Sequence, residues 1–309
     1  MLETARPSPN LFLQTIFEAR KPFAVHAALE LGIFTAVCDG AGNAEEVAGR
    51  CGLAERGARI LCDYLTICGF LEKKDGRYIA TSDTQMFLNR HSQAYLGDVA
   101  DFLLSREQIT CFEDLAASTR AGGRKQRSAA VDDHSIWTTF ARSMAALMRP
   151  IAEQLAARLE AKGLANPRVL DIAASHGEYG FAIARINPEA RITALDWPPV
   201  LKVTRERAAR AGFSNRMSYR EGDAFEIEFG GPYDIILFPN FLHSFDPPTN
   251  ELFLKKVRAA LASGGKAATA EFVPNEDRIS PPAAAAFSLQ MLSATPCGDA
   301  YTVRELTSM

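Results

Sequence analysis

The spacing of apolar residues divides the chain into two kinds of sequence. In residues 11–67 apolar side chains recur every three or four positions, which predicts a series of amphipathic helices. Residues 70–80 then read as two short strands around Asp75-Gly76, a dipeptide typical of two-residue hairpin turns. Helices followed by a hairpin indicate a winged-helix arrangement, to which we assign residues 1–105.

From residue 168 onward, short apolar runs alternate with helical segments. This alternation predicts a doubly wound parallel sheet, the Rossmann-like α/β fold. We assign residues 106–309 to this second domain, with residues 106–165 as a helical lead-in. The predicted strands are 169–172, 191–195, 217–221, 234–238 and 266–272.

The lead-in is predicted to contain two helices that Pro150 separates. Asp132 or Asp133 is placed to cap the first helix, because a carboxylate accepts the unpaired N–H groups of a first turn. A proline inside a helix removes a backbone hydrogen bond and crowds the preceding turn. We therefore expect the second helix to begin at Ile151 and to end near Lys162.

Composition and charge narrow the class of protein. The 309 residues carry a net charge of −3, which offers no electrostatic attraction for a polyanion. Residues 1–90 contain ten basic and eleven acidic side chains, so this domain lacks the positive surface that DNA binding requires. The six cysteines form no CxxC pair, and no apolar run reaches the ~18 residues of a membrane span. We expect a cytoplasmic protein without a nucleic-acid or membrane partner.

The turn after the first parallel strand carries the strongest chemical signal. The strand ends near Asp171, and Ala173, Ser175 and Gly177 follow at alternate positions before a helix. Small residues here allow a ligand to approach the backbone at the sheet edge that binds nucleotides. An acidic strand end repels a pyrophosphate and attracts a cationic or hydroxyl-bearing ligand. The pattern therefore favours S-adenosylmethionine (SAM) over NAD.

Acidic side chains also end the second and third predicted strands. Asp196, about 25 residues after the first motif, is placed to accept hydrogen bonds from ribose hydroxyls, with Trp197 beside it to cover adenine. Asp223 is placed to accept the adenine amino group, with Phe225 available to pack on the ring. The structural alternatives are a buried tryptophan beside a surface aspartate at Trp197 and Asp196, and a simple turn acid at Asp223.

The fourth and fifth predicted strands bring a histidine and a carboxylate to the same edge. His243 follows the fourth strand by a few residues, and Glu271 lies at the end of the fifth. Neighbouring parallel strands end side by side, so the carboxylate can fix the imidazole tautomer and raise its basicity. Helix capping or backbone bonding by Glu271 is the structural alternative.

Together these segments resemble a known family, the dimeric class I small-molecule O-methyltransferases of the caffeate and hydroxyindole type, and most closely their bacterial branch. The resemblance covers nearly the whole chain. It is carried, in order, by VLDIAASHGEYG, LDW, GDAF, FPNFLHSFDP, GGKAATAEFVPNEDR and MLSATPCGDAYTVREL.

The resemblance implies a role for each matching residue. His243 is the expected general base and Glu271 its support, while the expected partners are a small, flat acceptor and a second copy bound through the N-terminal domain. The sequence offers no metal cluster, because Asp246 alone supplies too few ligands. The expected SAM contacts are Asp171, Ala173, Ser175, Gly177, Asp196, Trp197, Asp223, Ala224, Phe225, Pro239 and Asn240. The expected acceptor-pocket residues are Phe140, Met144, Met291 and Leu292.

The chain departs from the family pattern at several positions. Pro239 stands where the family often has Lys, and Ser-Phe follows His243 where Asp-Trp is usual. Asp299 is one place away from the usual second acidic support. Met309 falls inside the helix that normally precedes the last two strands, so we expect the edge of the fifth strand to be exposed.

Three alternative functions remain open at this stage. The acceptor atom could be sulfur or carbon, which requires little help from a base. The protein could instead be a non-catalytic SAM-sensing or DNA-binding regulator, against which the charge balance argues. An NAD(P) oxidoreductase would need a glycine-rich pyrophosphate turn, which the sequence lacks.

Overall fold

A computed structural model describes residues 7–125 and 134–309 of the chain. The chain divides into two units, Met1–Leu104 and Ser105–Met309. The candidate cap residues Asp132 and Asp133 lie outside the described residues. Within the described residues, no helix is long and apolar enough to cross a membrane.

The N-terminal unit contains helices followed by a β-hairpin, as predicted. The hairpin strands β1 (Leu71–Lys74) and β2 (Arg77–Ala80) are joined by Asp75-Gly76, and both turn residues have the positive φ that this turn requires. The helices of the described part are α1 (Asn10–Glu18), α2 (Lys21–Glu30), α3 (Ile33–Cys38), α4 (Ala44–Cys51), α5 (Glu55–Ile67), α6 (Ser82–Phe87) and α7 (Val99–Leu103).

The C-terminal unit begins with a helical lead-in whose break lies elsewhere than predicted. Its described helices are α8 (Arg106–Glu113), α9 (Leu115–Ala121), α10 (Ser135–Ser143) and α11 (Ala145–Arg158). The predicted interruption at Pro150 is wrong, because Pro150 lies inside α11. The helices separate at Met144 instead, so only about one turn of α11 precedes the proline and little upstream helix is disturbed.

Five parallel strands form the sheet in the described part of the C-terminal unit. The strands are β3 (Arg168–Ile172), β4 (Arg191–Asp196), β5 (Met217–Glu221), β6 (Tyr233–Leu237) and β7 (Leu261–Ala268). Their order is β5-β4-β3-β6-β7, so the direction of winding reverses between β3 and β6. Open sheets of this kind bind ligands at the carboxyl ends of the strands beside this reversal. The predicted Rossmann-like α/β fold is confirmed.

The helices that follow the strands cover the sheet, and the loops of interest connect the strands to these helices. Val169, Leu170 and Ile172 of β3 are fully buried, as expected for a central parallel strand with helices on both faces. The helices are α12 (Glu178–Ile186), α13 (Pro198–Arg210), α14 (Pro247–Ala260), α15 (Pro282–Ala294) and α16 (Val303–Ser308).

The fifth strand is displaced from its predicted position. We predicted residues 266–272, but β7 ends at Ala268, so Glu271 lies three residues beyond it. The ladder stops because its partner β6 ends at Leu237, which pairs with Ala268. Isolated backbone bonds continue the contact, including one from Asn240 N–H to Ala270 O at 2.9 Å.

A glycine in α12 provides a test of how closely the helix packs on β3 and β4. A Cβ at Gly180 would lie 2.8 Å from Ile192 Cγ2 and 3.0 Å from Asp171 Oδ2. We expect Gly180→Ala to lower the free energy of unfolding by about 1–3 kcal/mol, because neither neighbour has room to move. Gly49→Ala in α4 is the control: apart from its own helix backbone and chain neighbours, no described atom lies within 4 Å of a Cβ there, and alanine favours the helix by up to about 1 kcal/mol.

Urea titrations of the two variants, followed by circular dichroism, measure these changes. We expect the free energy of unfolding to fall in Gly180→Ala and to rise in Gly49→Ala. Equal midpoints for Gly180→Ala and the unsubstituted protein would show that the contact is looser than described.

Candidate active site

The loop between β3 and α12 adopts an unusual backbone conformation. Ala173, Ser175 and Gly177 have φ values of 53°, 50° and 78°, so alternate residues are left-handed. For residues with a Cβ this conformation costs roughly 1–2 kcal/mol each. A Cβ at Gly177 would lie 2.6 Å from the Phe181 ring, so glycine is also required sterically. Contacts from neighbouring elements must therefore hold this loop.

Two buried polar atoms in and beside the loop have no partner among the described residues. Asp171 Oδ2 accepts the Gly180 N–H at 2.9 Å, whereas Asp171 Oδ1 and Ser175 Oγ have no hydrogen-bond partner in the described part of the chain. Burial and the nearby Asp196 carboxylate raise the pKa of Asp171 to about 8. Buried polar atoms normally find partners, so these two atoms fit a site whose remaining partner is a polar ligand.

Asp196 joins the end of β4 to this loop. Its Oδ2 accepts the Ser175 N–H at 2.8 Å and its Oδ1 accepts the Trp197 N–H at 2.7 Å. Burial raises the pKa of Asp196 to about 6. Each oxygen keeps a second lone pair, so the carboxylate can still accept hydroxyl donors. The Trp197 ring stacks on His134, with centroids 4.2 Å apart.

The end of β5 brings a third acidic side chain to the same edge. The Gly222 N–H donates to Asp196 O at 3.1 Å, which fixes the two strand ends beside one another. Asp223 Oδ1 accepts the Phe225 N–H at 2.7 Å, and Ala224 between them is buried. The Phe225 ring packs edge-on against Phe245 at 4.8 Å, as part of a cluster of phenylalanines.

The loops after β6 and β7 place a histidine against a carboxylate. His243 lies in a single 3-10 turn, and its Nδ1 is 2.6 Å from Glu271 Oε2. Glu271 Oε1 accepts the N–H groups of Phe241 and Leu242, both at 2.9 Å, so the carboxylate is itself fixed. With Nδ1–H donated to Glu271, the Nε2 lone pair of His243 is free to accept a proton.

Pro239 and Asn240 lie in the loop after β6. Asn240 has a φ of 54°, and its side-chain amide lies 3.5 Å from the hydroxyl of Tyr179 in α12. The loop after β6 therefore contacts the first turn of α12 as well as the segment that carries Glu271.

The four expected acceptor-pocket residues lie on two helices and one junction between helices. Phe140 of α10 faces the imidazole of His176, with ring centroids 6.0 Å apart, and Met144 at the end of α10 is buried. Met291 is buried and Leu292 half-buried on α15. The ring contact links Phe140 to the loop after β3. Met291 lies one helical turn after Phe287, whose ring centroid lies 4.9 Å from that of His243.

Two residues of this region were missed by the sequence reasoning. Phe287 stands four positions before Met291, so helical spacing alone would have placed both on one face of α15. Glu178 is buried at the start of α12 and pairs with arginines from three helices, a contact that no local pattern signals. In the ranges 7–125 and 134–309, no group of three or more His, Cys, Asp or Glu side chains is arranged to hold a metal ion.

Family models match almost the whole chain. The O-methyltransferase domain matches residues 108–309, and the O-methyltransferase dimerisation domain matches residues 13–90.

Curated relatives are similar over most of their length. The 3-hydroxy-5-methyl-1-naphthoate 3-O-methyltransferase of Streptomyces sahachiroi is 28% identical over 304 residues, 97% of this chain and 87% of that protein. The L-tyrosine C(3)-methyltransferase of Streptomyces lavendulae is 26% identical over 272 residues, 84% of this chain and 74% of that protein.

Solved structures share the fold of the chain. A protein of Nostoc punctiforme, crystallised as a candidate O-methyltransferase, is 44% identical with a TM-score of 0.93, and the match covers 98% of this chain and 92% of that one. Human N-acetylserotonin methyltransferase in complex with SAM is 18% identical with a TM-score of 0.83, and the match covers 99% and 93% of the two chains. The two family models, the curated relatives and these structures agree. The chain is therefore a member of the O-methyltransferase family of SAM-dependent enzymes.

Proposed function

We propose that the protein methylates a hydroxyl group of a small aromatic molecule, with His243 as the general base. The observation that carries this proposal is the 2.6 Å contact between His243 Nδ1 and Glu271 Oε2. Both side chains are nearly buried, 11% and 4% exposed, at the carboxyl edge of the sheet. SAM supplies an electrophilic methyl group on its sulfonium when bound. The chain must then hold the acceptor oxygen in line and remove its proton.

The cofactor site that we propose is formed by the ends of β3, β4 and β5. Asp196 would accept the ribose hydroxyls, and Asp223 would accept the adenine amino group. The left-handed loop, with the buried and unpartnered atoms of Asp171 and Ser175, would contact the rest of the cofactor. The other proposed contacts are Ala173, Gly177, Trp197, Ala224, Phe225, Pro239 and Asn240.

The acceptor site that we propose is apolar and lies against His243. A phenol with a pKa near 10 is a weak nucleophile while protonated. Imidazole is the side chain that takes up protons near neutral pH, which suits the base to this acceptor. The naphthoate-methylating relative supports a flat aromatic acceptor. The proposed lining residues are Phe140, Met144, Met291 and Leu292.

Replacement of the base tests the proposed chemistry. We expect His243→Ala to lower kcat by roughly 10²–10⁴-fold, because proton removal in the transition state contributes about that much. Affinity for S-adenosylhomocysteine should stay within about threefold of the unsubstituted protein, since no proposed cofactor contact is lost. Glu271→Gln should also lower kcat, because the amide can hold the wrong imidazole tautomer.

The assay uses SAM with a labelled methyl group and a panel of hydroxynaphthoates, hydroxyindoles and simple phenols, with NMR of the product to locate the new methyl. Full turnover by His243→Ala would remove the histidine from the mechanism. A methyl group on carbon would favour the second candidate function, C-methylation, which the tyrosine-methylating relative supports.

The raised pKa of Asp196 predicts that cofactor affinity depends on pH. Because its pKa of about 6 exceeds that of an exposed aspartate, ionisation of Asp196 lowers the free energy of unfolding as pH rises from about 4 to 6. Hydroxyl donors stabilise the ionised form, so cofactor affinity should fall as pH falls through 6. We expect about tenfold weaker binding of S-adenosylhomocysteine at pH 5 than at pH 7.

Calorimetric titration at several pH values measures this dependence. Asp196→Asn is the control, and it should bind weakly with no step near pH 6. A step of the same size in Asp196→Asn would assign the dependence to another group.

We also propose a homodimer formed through the N-terminal unit, whose elements follow the order of a winged helix. The dimerisation-domain model covers residues 13–90. Helix α1 has no buried residue, although a nine-residue helix is unstable in water without a packing partner. Helix α1 instead exposes an apolar surface, and an exposed apolar surface marks a protein interface. Its exposed apolar side chains are Leu11, Phe12, Leu13, Ile16 and Phe17.

A charge on this surface should separate the protomers. Phe12 of α1 is 67% exposed and Leu252 of α14 is 66% exposed, so the two offer matched positions. We expect Phe12→Asp to convert a dimer into a monomer at micromolar concentration, and Leu252→Asp to leave the dimer intact. Sedimentation velocity distinguishes these states. An unchanged dimer in Phe12→Asp would exclude α1 from the interface.

The cysteines support the cytoplasmic location that we propose. All six lie within the described residues and all are free, as is usual where glutathione keeps thiols reduced.

A further inference from the structure

A buried acidic side chain at the start of α12 gathers three arginines. Glu178 is 1% exposed, and its Oε2 lies 2.7 Å from Arg185 of the same helix and 3.3 Å from Arg149 of α11. Its Oε1 lies 2.7 Å from Arg207 of α13. Burial alone would raise the pKa of Glu178, but hydrogen bonds from Arg185 and Arg207 lower it below its ordinary value. The side chain is therefore a carboxylate that joins three helices.

The cluster also contacts the loop after β3. Arg207 Nε donates to His176 O at 3.0 Å, while the Glu178 N–H donates to His176 Nδ1 at 3.1 Å. Three residues before Arg207, Thr204 donates its hydroxyl to Ser175 O. Helix α13 thus holds two consecutive carbonyl groups of the loop, and Glu178 fixes the arginine that holds the second.

The loop requires such support because of its conformation. Ala173 and Ser175 are left-handed, and each resists that conformation by roughly 1–2 kcal/mol. If the loop relaxed in the free protein, only a fraction of the molecules would have the binding conformation. The apparent affinity for the cofactor would then be reduced to that fraction of its full value. A rigid loop avoids this loss before any ligand binds.

We propose that Glu178 is a positioning residue that, through Arg207, holds the carbonyl group of His176 and keeps the loop in its cofactor-binding conformation. The inference rests on the proposed cofactor site. It assigns Glu178 no contact with the cofactor and no part in proton transfer.

Two arginine substitutions separate this role from simple stabilisation. Arg207→Lys keeps the charge but removes the planar group that donates to Glu178 and to the loop together. We expect it to raise the Kd of S-adenosylhomocysteine and the KM for SAM by about 10–100-fold, with kcat at saturating SAM within about threefold. Arg149→Lys is the matched control, because Arg149 pairs with Glu178 without a described bond to the loop, and its Kd should change less than about threefold.

Glu178→Gln should reproduce the Arg207→Lys result, since the amide leaves three guanidinium groups without their carboxylate. If that variant does not fold, the two arginine variants still decide the question. Equal Kd values for Arg207→Lys and Arg149→Lys, with only the melting temperature lowered, would overturn the inference. Failure of the proposed cofactor site is seen separately, because Asp196→Asn would then bind S-adenosylhomocysteine normally.

Discussion

Parallel alignment of the strands is the constraint on which the rest of the structure depends. Five strands run in one direction, so their carboxyl ends meet at a single edge. Asp171, Asp196 and Asp223 reach that edge from three adjacent strands, and the loops after β6 and β7 bring His243 and Glu271 to it. Residues more than 70 positions apart in sequence therefore meet at one edge of the sheet without any irregular long-range connection.

The carboxyl edge of the sheet carries features that are unfavourable for folding. Burial raises the pKa of Asp171 to about 8 and that of Asp196 to about 6, and two loop residues with side chains are left-handed. Proteins retain such features where function requires them, and the surrounding structure holds them in place. Here the loop is held by a carboxylate at one end of β4 and by two side chains of α13. These contacts offset the cost of the left-handed conformation.

Local patterns predicted much of this arrangement, and contacts between distant elements account for the differences. The order of strands and helices followed from periodicity, and Asp171, Asp196 and Glu271 followed from their positions near strand ends. The bounds of β7 did not, because they depend on where β6 stops pairing. The break at Met144 and the arginines around Glu178 likewise depend on packing between helices, which no window of sequence contains.

The central claim is that the ends of β3, β4 and β5 bind a sulfonium nucleoside with its reacting group facing His243. A crystal structure of the protein with S-adenosylhomocysteine tests it most directly. The account predicts ribose hydroxyls within hydrogen-bond distance of Asp196, and the sulfur on the Nε2 side of His243. An empty site in crystals grown at saturating ligand, or a ligand bound away from the strand ends, would contradict it.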